Sequence, residues 1–213
     1  TIVTADHGEE LMDHGFIGHP STSFKGSAYD EVLRVPLIMT CPSLLPAGRV
    51  VGLQARSVDV LPTVLDLVGV PTPGSLQGRS LVPAVQGETV EELPAYTETT
   101  PGGYQATLEM LRTRIRAMRT PRWKLVHTHG PGVDDYDLYD LGRDPTERRD
   151  VARKHPEVVE EMRSELHRWV LAAQVRPGTP DSVAEGAGGV PVQPIRVLFP
   201  ADGDTFGYED VGK

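Results

Sequence analysis

The chain holds a single cysteine, Cys41, so no internal disulfide can form. That leaves the compartment open, because many exported proteins also do without disulfides. No apolar run approaches the roughly 20 residues that a membrane-spanning helix needs. Positive charge is scarce as well: 21 Lys and Arg stand against 30 Asp and Glu, for a formal net charge of −9. This argues against a nucleic-acid binder that relies on a general positive field, although a bound metal can still create a local anion site. The first residue is Thr1, within an apparent strand, and neither an initiator methionine nor a signal region precedes it. The sequence therefore reads as the C-terminal part of a longer protein or as a trimmed chain, and targeting is not legible.

What is present suffices for a folded unit. The 213 residues, 38% hydrophobic and 24% charged, match one domain or a domain with a subdomain. Residues 1–4 (TIVT) and 35–40 (VPLIMT) read as buried strands. Residues 57–69 (SVDVLPTVLDLVG) predict a helix with Asp59 as N-cap, Gly69 as stop, and an apolar face of Val60, Leu61, Val64, Leu65 and Val68. Residues 70–94 are rich in Pro, Gly and Ser and read as a loop. After it, 112–119 and 122–129 suggest a hairpin about Thr120-Pro121, with a third strand at 136–141. A helix is expected from about Pro156 to Gln174, with Val159, Met162, Leu166, Trp169 and Ala173 on one face. The expected organisation is an α/β part over 1–94, a small antiparallel sheet with a packed helix over 95–174, and a Pro/Gly-rich tail over 175–213.

Chemistry concentrates near the start, in TADHGEELMDHGFIGHP. Asp6 and His7 follow a strand end, where open α/β sheets place ligand sites. Asp offers a hard anionic oxygen and His a borderline nitrogen, and Gly8 lets the backbone turn closely. Two adjacent ligands reach one ion only from a turn. A lone Asp-His-Gly is nevertheless more often a solvated loop than a metal site.

The order of motifs along the chain adds to this. TADHGEELMDHGFIGH, SAYDEVLRVPLIMTCP, VDVLPTVLDLVGVPTP, LQGRSL, RTPRWKLVH and DLYDLGRDPTERRDVA together resemble the C-terminal half of the sulfatases, within the alkaline phosphatase superfamily. The resemblance covers about residues 1–172. It implies an α/β fold: an alkaline-phosphatase-like sheet portion followed by a small C-terminal antiparallel sheet with a packed helix. It also implies that Asp6 and His7 are two metal ligands. Calcium is the family default, and the His at position 7, where many sulfatases have Asn, also admits manganese or zinc. Two residues compete for the contact to the sulfate oxygens and leaving group, His19 in FIGHP and Lys25 in SFKGSAYDE. The spacing of FIGH from DHG favours His19, which near neutral pH can protonate a departing oxygen, whereas Lys25 would act as a fixed charge.

The nucleophile, an adjacent Arg and the first pair of Asp ligands that the resemblance implies are not in this sequence. Cys41, in CPSLLPAGR, lacks the C-x-[PA]-x-R spacing and reads as a strand-end residue that packs. The expected function is thus the C-terminal portion of a metal-dependent, arylsulfatase-like hydrolase of sulfate esters, on a small molecule or a glycan, with little or no activity in this chain alone. The alternatives are a phosphonate monoester or phosphodiester hydrolase of the same superfamily, or a non-catalytic domain that keeps the fold. Other polar residues carry plainer expectations. His14 reads as an exposed loop histidine, Arg34 as a buried structural arginine, and Glu9 and Glu10 as loop or helix-start charges. Trp123, Tyr136 and Tyr139 read as core or sheet-face residues, and the charges from Arg143 to Arg168 as a solvated face. His127 and His129, at period 2, share a strand face; such a pair can hold a metal or touch substrate, but an isolated pair is usually neither.

Overall fold

Short elements fill the first forty residues: β1 (Ile2–Thr4), β2 (Glu10–Leu11), β3 (Ile17–Gly18), α1 (Asp30–Leu33) and β4 (Leu37–Met39). The structure is a computed structural model that describes residues 1–18, 28–101 and 107–174, and within it Thr1–Ala173 form one compact unit. His19, Lys25 and the tail over 175–213 lie outside the described residues. Both apolar runs become strands as expected, and β1 pairs antiparallel with β4, Ile2 opposite Met39. They are not buried, however: Val3 and Ile38 are 52% and 61% exposed. The face with Val3 and Ile38 lies open among the described residues, while Leu37 and Met39 on the other face are half-buried; apolar sequence by itself does not supply a covering layer.

The helix expected at 57–69 forms as a 3₁₀ turn, Ser57–Asp59, running into α2 (Val60–Leu67), and Gly69 ends it with φ +71°. The face it buries differs from the expectation. Pro62 and Thr63 are buried, whereas Leu61 and Val68 are exposed. Polar contacts decide this. Thr63 Oγ1 donates to the Asp59 carbonyl (2.6 Å) and accepts from the Leu81 N–H (2.9 Å). Asp59 sits at the N-cap position of α2 without capping it. Its buried carboxylate instead accepts from the backbone N–H (2.9 Å) and guanidinium (2.6 and 3.0 Å) of Arg56, and from the Arg79 N–H (3.0 Å). Gly78 lies tight against this clasp, since a Cβ there would meet the Val58 carbonyl oxygen at 1.8 Å. The 70–94 stretch is not wholly loop: one helical turn, α3 (Val82–Gln86), follows Leu81.

The second half is a four-stranded antiparallel sheet in the order β5 (Ala95–Thr99), β6 (Arg114–Arg119), β7 (Trp123–Gly130), β8 (Val133–Asp140). The expected hairpin is β6–β7 and the expected third strand is β8. β5 and a helical turn, α4 (Leu108–Arg112), are additional. Period 2 gives the sheet two faces, and both are covered. One carries Met118, Leu125 and Leu138 against Met162 and Leu166 of α5 (Pro156–Gln174), with Tyr96 stacked on Trp169 at 4.9 Å between ring centroids. The other carries Ile115, Ala117, Val126 and Tyr139 against Ala28, Tyr29 and Leu33 from the α1 segment. Burying each of the fully enclosed leucines contributes about 1.5–3 kcal/mol. The core therefore sits around the small sheet, and the α1 segment is anchored to it.

The Asp59 clasp makes a pH-dependent prediction. Burial alone would raise its carboxyl, but the Arg56 guanidinium and two backbone N–H donors overcome that and hold it below the ordinary 3.8. Its stabilising contribution is therefore fully present above pH 3.8 and is lost as pH falls through the lower folded value. Asp59→Asn is expected to cost about 1–3 kcal/mol at pH 6 in urea unfolding. At pH 3 the gap between variant and parent narrows; a gap that stays constant over this range refutes the clasp.

Candidate active site

Asp6 and His7 leave β1 in a turn, the geometry in which neighbouring side chains can converge. The His7 N–H donates to Asp6 Oδ1 (3.0 Å), and His7 Nδ1 is hydrogen-bonded to the Gly8 carbonyl (2.8 Å). A carbonyl only accepts, so Nδ1 carries the hydrogen and the neutral ring has its acceptor lone pair on Nε2. That atom lies 3.7 Å from Asp6 Oδ2. An ion about 2.0–2.5 Å from each atom spans this gap, so the pair fits a divalent metal. The bond to Gly8, with the nearby Asp6 and Glu9 carboxylates adding to it, holds the imidazole above its ordinary range despite partial desolvation. A metal must therefore compete with a proton for Nε2. Two ligands fall short of a complete hard-cation shell.

Gly8 fixes where this turn stands. Its N–H donates to the Val32 carbonyl (2.8 Å), and a Cβ on Gly8 would lie 1.9 Å from the Glu31 carbonyl oxygen. Glycine is needed here for close approach rather than for backbone torsion. The turn thus rests on α1, and α1 is held in turn by the small sheet. Lys124 of β7 is wholly buried; its ammonium meets Asp30 at 2.9 Å and Glu147 at 2.7 Å. Arg119 of β6 donates to Asp30 through Nε (3.1 Å) and Nη2 (3.0 Å), so two cations face two carboxylates. Glu147 Oε2 accepts the first N–H of α1, from Asp30, at 2.6 Å. Burial would raise the Asp30 carboxyl, but Lys124 and Arg119 hold it below the usual range. Burial raises that of Glu147 and prevails over Lys124. Glu147 reaches inward from a left-handed conformation, φ +53°, at a cost of about 1–2 kcal/mol offset by these contacts.

Several expectations are corrected here. His14 is not an exposed loop histidine. Its ring stacks on Tyr29 at 3.6 Å, Nδ1 pairs with Glu31 at 2.5 Å, and Nε2 is hydrogen-bonded to the Glu147 carbonyl at 3.2 Å. Glu147 breaks the expected solvated charge face, because the Asp-Pro-Thr-Glu turn points it inward. Glu10 is no loop charge but a buried β2 residue whose carboxylate has no hydrogen-bond partner among the described residues. Arg34 is exposed. Tyr139 is buried, with Trp123 and Tyr136 packed on the sheet, as expected. Cys41 is half-buried just past β4. The residues that sequence reasoning missed are Lys124, Asp30, Arg119 and Glu147. The available signal was a lysine between Trp123 and Leu125 in a strand covered on both faces.

The α/β part followed by a small antiparallel sheet with a packing helix resembles a solved 2-O sulfatase (28% identity, 82% of this chain, 36% of that one, TM-score 0.68). The chain belongs to the sulfatase family: residues 23–174 match the family described as N-sulphoglucosamine sulphohydrolase, C-terminal. It is similar to the Delta 4,5-hexuronate-2-O-sulfatase of Bacteroides thetaiotaomicron, 30% identical over 178 residues, which are 81% of this chain and 35% of that protein. It is also similar to a protein solved in complex with its substrate D-glucosamine-2-N,6-O-disulfate (28% identity, 81% of this chain, 33% of that one, TM-score 0.62). The phosphonate monoester hydrolase of Agrobacterium radiobacter is similar too (29% identity, 81% of this chain, 34% of that one, TM-score 0.65). The chain spans about a third of the length of such relatives. Among the described residues no helix is long and apolar enough to cross a membrane.

Two substitutions probe the bracing. Lys124→Met leaves two buried carboxylates short of a counter-charge and should cost about 3–5 kcal/mol in urea unfolding, whereas Arg163→Ala, which breaks an exposed pair with Glu160, should leave the unfolding midpoint almost unchanged. Gly8→Ala forces the turn off Glu31; by analogy with overpacked sites it is expected to lose about 1–3 kcal/mol, and a variant as stable as the parent would refute that close approach.

Proposed function

We propose that this chain is the C-terminal part of a metal-dependent sulfatase, with Asp6 and His7 as two of the metal ligands. The observation that carries this reading is the placement of Asp6 Oδ2 and His7 Nε2 3.7 Å apart, with His7 Nδ1 tied to the Gly8 carbonyl. Such a hydrogen bond on the far nitrogen is how metal-bound imidazoles are usually oriented. Calcium is the metal favoured by the family, and the imidazole also suits manganese or zinc. When bound, the metal supplies positive charge for the sulfate oxygens and the attacking nucleophile. His19 is the proposed contact to the leaving oxygen, with Lys25 in that place if His19 is not.

In this reading residues 1–94 complete the catalytic α/β domain and 95–174 form the subdomain that braces it. The substrate proposed is a sulfate ester on a sugar. The hexuronate sulfatase and the disulfated glucosamine complex support that class. The similarity to a phosphonate monoester hydrolase supports a second reading, hydrolysis of a phosphonate or phosphate ester at the same two ligands.

No residue of this chain matches the nucleophile motif, so the purified 213-residue chain should release no sulfate from an aryl sulfate or a 2-O-sulfated uronate; turnover by it would overturn the reading. In a polypeptide of the relatives' length that carries this sequence, Asp6→Ala and His7→Ala should each weaken metal binding at least about tenfold and lower sulfate release with it. If that polypeptide binds none of calcium, manganese and zinc and releases no sulfate, and Asp6→Ala changes nothing, a non-catalytic domain remains. Cleavage of a phenylphosphonate ester in preference to the sulfate would select the second reading.

A further inference from the structure

Away from the DHG turn, the histidine pair of β7 does not stand alone. His129 and Asp134 are directly opposed across the β7–β8 ladder, and His127 opposes Tyr136. Both histidines aim at one carboxylate oxygen: Asp134 Oδ1 is 2.7 Å from His127 Nε2 and 3.4 Å from His129 Nδ1. Among the described residues this is the one group of three metal-ligating side chains whose ligand atoms converge, all within 4.8 Å of one another. From this we infer that His127, His129 and Asp134 form a binding site for a borderline divalent cation of the zinc type.

Three features support it. First, the donor set selects the ion. Two imidazoles and one carboxylate suit zinc and its first-row neighbours and disfavour calcium or magnesium, which take mainly oxygen. Second, both histidine–carboxylate separations are close to those required, and the two imidazole nitrogens lie within 4.8 Å of each other. Around tetrahedral zinc at about 2.0–2.1 Å, neighbouring ligand atoms stand about 3.3 Å apart. The His129–Asp134 separation already meets that, and the His127–Asp134 separation must open by roughly 0.6 Å. The exposed Asp134 side chain can make that change. Third, the site combines one fixed ligand with two accessible ones. His127 is buried and stacked on Tyr136 at 4.2 Å between ring centroids, while the side chains of His129 and Asp134 are 58% and 67% exposed.

The remaining coordination position faces solvent and takes water. His167 of α5 stands beside the site, 5.8 Å from His127 between ring centroids, and its Nε2 is hydrogen-bonded to the Tyr136 hydroxyl at 2.9 Å. A cation here joins β7 to β8 close to the turn that connects them, and so staples that hairpin.

The test uses the 213-residue chain stripped with a chelator. Titration with zinc should show one saturable site at this hairpin, and cobalt at the same site should give the visible absorption of a low-coordinate centre. His129→Ala and Asp134→Asn should each weaken zinc binding about tenfold or more, with the circular dichroism of the parent retained because both side chains are exposed. Asp6→Ala/His7→Ala should keep this site. Zinc should also raise the thermal unfolding midpoint of the parent and not of Asp134→Asn. The proposal is overturned by absence of saturable binding, by His129→Ala and Asp134→Asn binding zinc as tightly as the parent, or by loss of all zinc binding in Asp6→Ala/His7→Ala. Because the last variant alone tests the DHG pair, failure at the hairpin leaves the sulfatase reading untouched.

Discussion

The ammonium of Lys124 is the contact on which the rest of this structure depends. It is fully enclosed, so its charge must be matched on the spot. Asp30 and Glu147 supply the match, and each brings a different piece of chain with it. Asp30 opens α1, and α1 carries the carbonyls of Glu31 and Val32 on which Gly8 rests. Glu147 brings the turn after β8, whose backbone carbonyl holds His14. A lysine on a strand of the small sheet therefore helps to set where Asp6 and His7 stand.

This gives the C-terminal sheet a role that its composition does not suggest. It contributes no ligand to the DHG turn in this structure, yet it is the rigid body against which that turn is located. The packing of Leu125 and Leu138 on α5 fixes β7 and β8, and the ionic cluster passes that position on to α1. Close placement of ligand atoms is what metal binding requires, and ligands supported by packed elements keep it better than ligands on an untethered loop.

Local features were legible in the sequence and long-range ones were not. The β6–β7 hairpin, β8 and α5 follow from period and turn residues, as does the stop at Gly69. The proposal that Asp6 and His7 bind a metal rests on motif order, which no single triplet would have supplied. The ionic cluster was hidden because its members are far apart: Asp30 is 94 residues from Lys124 and 117 from Glu147. In addition, Glu147 lies in a run of charges that reads as solvated. The burial of β1, β4 and α2 was misjudged for a different reason. Apolar residues state what a segment can pack against, not whether a partner is there, and Val3, Ile38 and Leu61 remain at the surface.

The distance between Asp30 and Lys124 also has a consequence in time. A ribosome adding about 5–20 residues per second makes Lys124 roughly 5–20 seconds after Asp30, and Glu147 later still. Until β6 and β7 have emerged Asp30 lacks Arg119 and Lys124, and until Glu147 follows the first N–H of α1 has no acceptor. The DHG turn is thus translated before the scaffold that positions it, and is held only once the small sheet has been synthesised and folded. A nascent chain that stalls before β7 would hold Asp6 and His7 without the scaffold that places them.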